Sequence, residues 1–197
     1  MSQLLGNRSR GLLFILSAPA GTGKTTLVRK LTGEFDCVVE SISFTSRPMR
    51  RGEKEGVDYF FVDEETFERM AREDAFLESV SLYGFYYGTS KSWVEEMLAQ
   101  GKHVVLVIDT QGALKLKRDK SLQAVYIFIK PPSLAELKSR LEKRKTEDSR
   151  AVEERLHWAE KELKEEKEYD YVILNDEIEK AYQVLKSIFI AEEHKRS

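Results

Sequence analysis

A short glycine-containing segment near the amino terminus has the residue types and spacing of a phosphate-binding loop. It follows the apolar run 12–16 and precedes a helical pattern that starts at Thr25. Glycine permits backbone dihedrals with which successive N–H groups surround an anion, and the start of the following helix adds positive partial charge. In such a loop a lysine reaches the outer phosphates and a hydroxyl coordinates Mg2+, which here predicts Lys24 and Thr25 in those roles. The residues of this predicted nucleoside triphosphate site are Ala18, Pro19, Ala20, Gly21, Thr22, Gly23, Lys24, Thr25 and Thr26.

One position of this segment departs from the usual pattern. The chain has Ala18 where the pattern places its first glycine. Alanine is small enough to meet a modest dihedral demand at that position. A strand-to-helix turn that holds no ligand is the alternative interpretation. The glycine, lysine and threonine that follow favour the phosphate site, because they stand between a strand pattern and a helix pattern.

A second candidate anion site lies in the basic segment 43–53. Arg47, Arg50 and Arg51 fall close together there, beside a proline and a glycine. Guanidinium groups bind phosphate through paired hydrogen bonds, so the segment predicts a phosphate site, with an exposed basic turn as the alternative. The tyrosine-rich stretch 83–89 follows, which we interpret as a turn whose glycines let the backbone approach a ligand. Glu78 precedes this turn on a predicted strand.

Apolar runs alternate with helical patterns along the chain, which predicts an α/β fold with a parallel sheet covered by helices. Strands are predicted at 12–16, 104–108, 125–129 and 171–174, with a possible fifth at 37–41. Helices are predicted at 25–32, 91–100, 134–143, 150–167 and 177–192. Residues 43–91 interrupt this alternation and predict a mixed subregion with strands at 57–62 and 75–80 and a helix at 63–72. We expect Gly101 to end the second helix, Ser133 to begin the third, and the C-terminal helix to pack on the sheet.

The composition indicates one domain with a sizeable core. The chain has 197 residues, 41% of them hydrophobic and 34% charged, and a net charge of -2. This charge creates no overall field that attracts nucleic acid or an anionic membrane. No apolar run approaches the roughly 20 residues of a membrane span. Cys37 is the only cysteine, which excludes an intrachain disulfide. We predict a cytoplasmic protein without nucleic-acid or membrane partners, and the oligomeric state stays open.

From about Leu12 to the C-terminal helix, the chain resembles guanylate kinases. The resemblance is carried, in the family's order, by Ser43, Arg47, Arg50, Gly52, Glu53, Gly56, Tyr59, Tyr86, Tyr87, Gly88, Thr89, Ile108, Asp109, Gln111 and Gly112. It implies a sheet of the P-loop NTPase type, an inserted mixed α/β subregion that binds a nucleoside monophosphate, and a helical lid. The implied single domain, 1–197, has its core at 1–42, 92–133 and 165–197, its GMP-binding subregion at 43–91 and its lid at 134–164.

The activity implied by the resemblance is transfer of the γ-phosphoryl group of ATP to GMP, giving ADP and GDP, within purine nucleotide metabolism. By similarity, Ser43, Glu78 and Asp109 bind guanine, and Thr89 contacts the same nucleotide. The residues implied to bind the GMP phosphate are Arg47, Arg50, Tyr59 and Tyr87. The implied catalytic residues are Lys24, Arg47 and three lid arginines, Arg140, Arg144 and Arg155. Asn175 is implied near the adenine of ATP, and it is also a candidate N-cap for the helix that follows.

Two other functions stay open at this stage. One is a guanylate-kinase-like module that binds proteins without catalysis; the retained Lys24 and Thr25 argue against it. The other is a P-loop kinase for a different phosphorylated acceptor, which should lack the combination of Arg47, Arg50, Tyr59, Glu78 and Tyr87. Val107 stands where family members often carry an aspartate. Mg2+ would then be held by Thr25, by ATP and by water.

Overall fold

The computed structural model describes residues 4–82, 84–143 and 149–196. The predicted lid residue Arg144 therefore lies outside the described residues. The strands are β1 (Leu13–Ser17), β2 (Val38–Glu40), β3 (Phe44–Thr45), β4 (Phe60–Phe61), β5 (Phe76–Leu82), β6 (Phe85–Ser90), β7 (His103–Val107), β8 (Val125–Lys130) and β9 (Tyr171–Leu174). The helices are α1 (Lys24–Glu34), α2 (Glu64–Arg72), α3 (Lys91–Ala99), α4 (Thr110–Arg118), α5 (Leu134–Lys143), α6 (Ser149–Lys164) and α7 (Ile178–His194), with a 3-10 turn at Glu166–Glu168.

The larger sheet is parallel throughout and has the order β2-β7-β1-β8-β9. Its central strand β1 is buried along its whole length, which explains its continuous run of apolar side chains. Helices α1 and α7 cover one face, where the rings of Phe14 and Phe189 stack with centroids 3.6 Å apart. Helices α3 and α4 cover the other face. The predicted fold class, a parallel sheet between helices, is confirmed.

The smaller sheet has the order β4-β3-β6-β5 and combines parallel and antiparallel pairs. Its β5–β6 register places Glu78 opposite Thr89 and Val80 opposite Tyr87. Side chains at directly opposite positions of an antiparallel pair lie close together on one face. This register therefore brings two predicted site residues into contact.

Several predicted helix boundaries are confirmed by their capping contacts. Asp63 accepts a hydrogen bond from the Thr66 N–H at the start of α2, at 2.7 Å. The Ser133 hydroxyl accepts one from the Glu136 N–H at the start of α5, at 3.0 Å. Gly101 follows α3 with a φ of 78°, a conformation that favours glycine and ends the helix. The expectation that the C-terminal helix belongs to the core is also confirmed, since Leu185 and Phe189 are fully buried.

Other local predictions were wrong. Helix α4 was not expected, because Gly112 in its first turn and a short apolar pattern weaken the helical signal. The stretch 83–89 was interpreted as a turn, but Phe85–Ser90 forms a strand whose tyrosines alternate between faces. The predicted strand at 57–62 is reduced to β4, because Glu53–Tyr59 forms turns with local hydrogen bonds. Asn175 is not an N-cap: the capping position of α7 is Glu177.

No helix within the described part of the chain has the length and apolar character needed to cross a membrane.

Candidate active site

A cavity of about 500 Å³ opens at the carboxyl ends of β1 and β7, where the larger sheet faces the smaller one. In parallel α/β sheets this edge is the usual place for ligands. Its wall combines residues from the predicted triphosphate site, the predicted monophosphate site and helix α6. The lining residues are Ala18, Ala20, Lys24, Thr25, Ser43, Tyr59, Glu78, Val80, Leu82, Tyr87, Val107, Ile108, Asp109, Thr110, Gln111, Leu114, Trp158, Lys161, Glu162 and Glu165.

The segment between β1 and α1 has the backbone conformation of an anion-binding loop. Gly21 and Gly23 have φ values of 90° and 97°, which L side chains rarely adopt. Gly23 is the N-cap of α1, so the positive end of that helix faces the loop. The Lys24 ammonium donates to the carbonyl of Ala18 across the loop. Lys24 and Thr25 both reach the cavity, as their predicted roles require.

The side chain of Asn175 is hydrogen-bonded to the backbone of this loop. Its side-chain amide donates to the Thr22 carbonyl at 2.6 Å, and only 3% of the residue is exposed. A Cβ atom on Gly23 would lie 2.6 Å from the same amide, so the glycine also allows this close approach. Asn175 does not line the cavity. Its predicted contact with adenine therefore stays a prediction, whereas its hydrogen bond to the loop is a structural contact.

Two of the three predicted lid arginines, Arg140 and Arg155, lie within the described residues. Arg140 on α5 donates to the Glu136 carboxylate at 3.0 Å and to the Asn175 carbonyl at 3.1 Å. Arg155 is half-buried on α6. Neither side chain lines the cavity, so their predicted contact with ATP phosphates stays a prediction.

Glu78 is the most unusual acidic residue of the cavity. It is 4% exposed, and its Oε1 accepts a hydrogen bond from the buried Thr89 hydroxyl at 2.7 Å. Its Oε2 has no hydrogen-bond partner among the described residues. Burial raises the pKa of Glu78 to about 7; the Thr89 hydrogen bond opposes this rise and the nearby Asp109 carboxylate adds to it. A buried carboxylate oxygen without a partner is costly, which marks it as a site prepared for a hydrogen-bond donor.

Asp109 lies beside Glu78 and is positioned by α4. Its Oδ1 accepts hydrogen bonds from the backbone N–H groups of Gln111 at 2.7 Å and Gly112 at 3.2 Å. Burial raises the pKa of Asp109, while these N–H groups lower it. Because capping occupies Oδ1, Oδ2 remains on the side of Glu78. The two carboxylates form a pair of acceptors at one end of the cavity.

The basic segment forms an aromatic and cationic cluster next to these acids. Arg47 is 6% exposed, and both of its terminal nitrogens donate to the Glu53 carboxylate, at 3.0 and 2.8 Å. Its guanidinium carbon lies 5.3 Å from the centre of the Tyr59 ring, and that ring packs edge-on against Tyr87. Arg50 is exposed, and its backbone N–H donates to Glu53 at 2.8 Å. Tyr59 and Tyr87 line the cavity together with Ser43.

The sequence reasoning assigned no role to two acids that the structure places at the site. Glu53 accepts two hydrogen bonds from the Arg47 guanidinium. The spacing of the arginines in the basic segment did not predict this contact. Glu162 reaches the cavity with Trp158 and Lys161 from the same face of α6, and with Glu165 just after the helix. Burial raises the pKa of Glu162 to about 7, opposed by Lys24 and reinforced by Asp109. Because α6 is rich in charged residues, its sequence pattern did not distinguish the face that reaches the cavity.

The oxygen atoms near Thr25 fit a magnesium ion that arrives with a nucleotide. The Thr25 residue is exposed at the start of α1 and lines the same cavity as the carboxylates of Asp109 and Glu162. Mg2+ prefers oxygen ligands and usually keeps several waters while it bridges substrate phosphates. Within the described residues, no three acidic, histidine or cysteine side chains form a metal cluster. Thr25 therefore stays the predicted protein ligand of a metal ion that substrate phosphates and water would hold in the main.

Comparisons with known proteins agree with this geometry. The guanylate kinase family model matches residues 10–192. A guanylate kinase of Protochlamydia amoebophila is 55% identical over 195 residues, covering 98% of each chain. One of Chlamydia trachomatis serovar D is 50% identical over 186 residues, covering 94% of this chain and 90% of the relative. The crystal structure of guanylate kinase from Anaplasma phagocytophilum matches with a TM-score of 0.79 and 36% identity, over 95% of this chain and 89% of that one. The chain therefore belongs to the guanylate kinase family.

Proposed function

We propose that this protein transfers the γ-phosphoryl group of ATP to GMP, giving ADP and GDP. The observation that carries the proposal is the buried Glu78 carboxylate, which lines the same cavity as Lys24 and Thr25 and whose Oε2 has no hydrogen-bond partner among the described residues. A phosphate loop by itself is compatible with many kinases. A buried acceptor in the same cavity favours a substrate that carries hydrogen-bond donors. Membership of the guanylate kinase family indicates that this substrate is a guanine nucleotide.

The acceptor pair matches the donors of guanine. Guanine presents N1–H and a 2-amino group on one edge, and a carboxylate can accept from both. Glu78 takes this role with Asp109 at the amine, and the Ser43 hydroxyl donates to O6. Adenine would place an acceptor nitrogen against Glu78, which is repulsive. Sites built on such buried hydrogen bonds discriminate by as much as about 10⁴–10⁵-fold.

The neighbouring cluster suits the phosphate of GMP. Arg47 and Arg50 supply positive charge, while Tyr59 and Tyr87 supply hydroxyl donors. Glu53 fixes Arg47 in place through two hydrogen bonds. A guanidinium that is already oriented loses less side-chain entropy when it binds an anion. The base and phosphate sites together would hold GMP at both ends.

The transfer requires positioning and charge compensation rather than a general base. A phosphate monoester has a second pKa near about 6, so the GMP phosphate oxygen is already an anionic nucleophile at neutral pH. Lys24 and the N–H groups of the loop bind the ATP phosphates, and Arg47, Arg140, Arg144 and Arg155 compensate charge as the two nucleotides align. Bound Mg2+, held through Thr25, would neutralise part of the phosphate charge. The GMP-binding subregion at 43–91, the lid at 134–164 and the cytoplasmic location stay predictions.

The direct test is turnover with each of GMP, AMP, CMP and UMP, followed by coupled ADP release. We expect phosphorylation of GMP, with a strong preference over the other three. Robust turnover of AMP, CMP or UMP in place of GMP would contradict the guanine assignment. Binding of a phosphopeptide without any transfer would instead point to a non-catalytic module.

The affinity for GMP should rise with pH around neutrality. In the unliganded protein the pKa of Glu78 is about 7, and only the ionised carboxylate accepts from both donors of guanine. Binding therefore requires loss of the proton, and GMP should bind about tenfold more tightly at pH 8 than at pH 6. The dissociation constant can be measured by titration calorimetry between these pH values.

Two variants separate this effect from ionisation of the GMP phosphate. Asp109→Asn removes a like charge and should move the midpoint of the pH profile downward. Thr89→Val removes the hydrogen bond that favours the ionised form and should move it upward. A midpoint that stays in place in both variants would assign the titration to the phosphate of GMP and not to Glu78.

A further inference from the structure

Gly112 stands in the first turn of α4, next to the acceptor pair of Glu78 and Asp109. It is buried, and its φ lies outside the range that favours glycine over other residues. Glycine is also less favourable than alanine inside a helix. Neither the backbone conformation nor helix formation therefore explains a glycine at this position.

The space around Gly112 supplies a reason. A Cβ atom there would lie 2.9 Å from Glu78 Oε2, 3.4 Å from Asp109 Oδ2 and 3.5 Å from the Glu78 carboxyl carbon. The first distance is shorter than Cβ contacts in real proteins, so one of the two groups would have to move. The carboxylate is the side-chain end that can move, and it would leave the position beside Asp109. The missing side chain of Gly112 thus makes room for the unpaired oxygen.

A second contact holds the same carboxylate on its other side. The buried Thr89 hydroxyl donates to Oε1 at 2.7 Å from the opposite strand. One oxygen of Glu78 is therefore anchored, and the other occupies the space left by Gly112. The positions of both carboxylate oxygens are therefore set by contacts with β6 and α4.

We propose that Gly112 is a positioning residue for base specificity: its lack of a side chain places Glu78 Oε2 beside Asp109 Oδ2, where the two recognise the N1–H and 2-amino groups of a purine. This inference rests on the proposed function, because it concerns the same base site. The substrate class that it specifies is a 6-oxopurine nucleotide with a 2-amino group. An analogue without that amine offers no donor to Asp109 Oδ2 and should be disfavoured.

The test is Gly112→Ala, assayed with GMP and with inosine monophosphate, which lacks only the 2-amino group. We expect the KM for GMP to rise about 10–100-fold, because displacement of a binding group by around 1 Å has effects of this size. The preference for GMP over inosine monophosphate should fall, since the displaced carboxylate no longer cooperates with Asp109. The KM for ATP should stay unchanged. A general loss of structure would not change the ratio between two acceptors.

Gly33→Ala is the matched control. Gly33 also lies in a helix, and its φ is likewise outside the positive range. Apart from its own chain neighbours and helix backbone, no atom of the described residues lies within 4 Å of where a Cβ would stand. It should keep the KM values and the acceptor preference of the parent protein. If Gly112→Ala behaves like Gly33→Ala while the parent phosphorylates GMP, the inference is wrong. If the parent does not phosphorylate GMP, the proposed function itself fails.

A double variant tests the steric explanation, and it remains informative if the Gly112→Ala protein does not fold. Glu78→Asp shortens the acid by one methylene and withdraws it from position 112. In the Gly112→Ala background this change should cost less activity than it does alone, or should restore folding if the single variant is unfolded. Additive effects, or no recovery of folding, would overturn the steric explanation.

Discussion

Replacement of Glu78 by glutamine should reduce kcat/KM for GMP by at least about 10²-fold, since one buried acceptor becomes a donor in a site built on hydrogen bonds. The substitution preserves the volume and removes the charge. Whichever way the amide is oriented, it offers the base one acceptor oxygen in place of two. Turnover of GMP under steady-state conditions measures the loss.

The same substitution should stabilise the protein without ligand. The pKa of Glu78 is raised from 4.5 to about 7 in the folded protein. A raised pKa means that this group favours folding while it is protonated and that the contribution is lost as the pH rises through about 7. Glu78→Gln removes this dependence, so its melting temperature should exceed that of the parent more at pH 8 than at pH 5. Thermal unfolding at the two pH values measures the difference.

Glu73→Gln is a suitable control for both measurements, because Glu73 is exposed at the end of α2 and does not line the cavity. It should change neither turnover nor the pH dependence of unfolding. GMP kinetics in Glu78→Gln that match those of the parent would show that another group reads the base.

Replacement of Lys24 by methionine should reduce phosphoryl transfer by at least about 10²–10³-fold, the range found when one charge-stabilising donor is removed from an active site. Methionine keeps a long apolar chain and deletes the ammonium. The N–H groups around Gly21 and Gly23 remain, and so does the positive end of α1, so ATP should still bind. The loss should therefore appear mainly in kcat, as measured by coupled ADP release.

The affinity of this variant for GMP should be unchanged, since neither the proposed base site at Glu78 nor the proposed phosphate site at Arg47 involves Lys24. Lys30→Met is the matched control on the same helix. Lys30 pairs with Glu179 at the surface, where such pairs contribute little, and it should keep full activity. Transfer at the parental rate by Lys24→Met would remove Lys24 from the reaction.

These predictions depend on contacts that local sequence patterns could only partly anticipate. The phosphate loop was recognisable because its function resides in consecutive residues between one strand and one helix. The parallel sheet was recognisable because strands buried on both faces are apolar throughout. The types and order of the base-binding and phosphate-binding residues indicated guanylate kinases, although their spatial arrangement was implied only by resemblance.

Local reasoning failed where tertiary contacts decide the conformation. Helix α4 has a weak intrinsic pattern, yet it forms because Asp109 caps it and Ala113 and Leu116 pack under the larger sheet. Strand β6 has the composition of a turn, yet it pairs with β5 along its length and with β3 at Tyr87 and Gly88. In both cases burial and pairing outweighed the local preference.

The sequence alone determined the fold class and the location of the phosphate loop, because these depend on hydrophobic periodicity and on one short motif. The candidate GMP-binding residues were implied by the resemblance to guanylate kinases. Only the tertiary structure decided that Glu53 holds Arg47, that α6 brings Glu162 to the cavity, and that Gly112 leaves space for Glu78. The contact between Arg47 and Glu53 forms within one irregular loop. The other two contacts join residues on different elements, and their distances follow from how the two sheets and the helices pack. A one-dimensional pattern specifies which groups are present, but the direction of a carboxylate oxygen depends on what surrounds it.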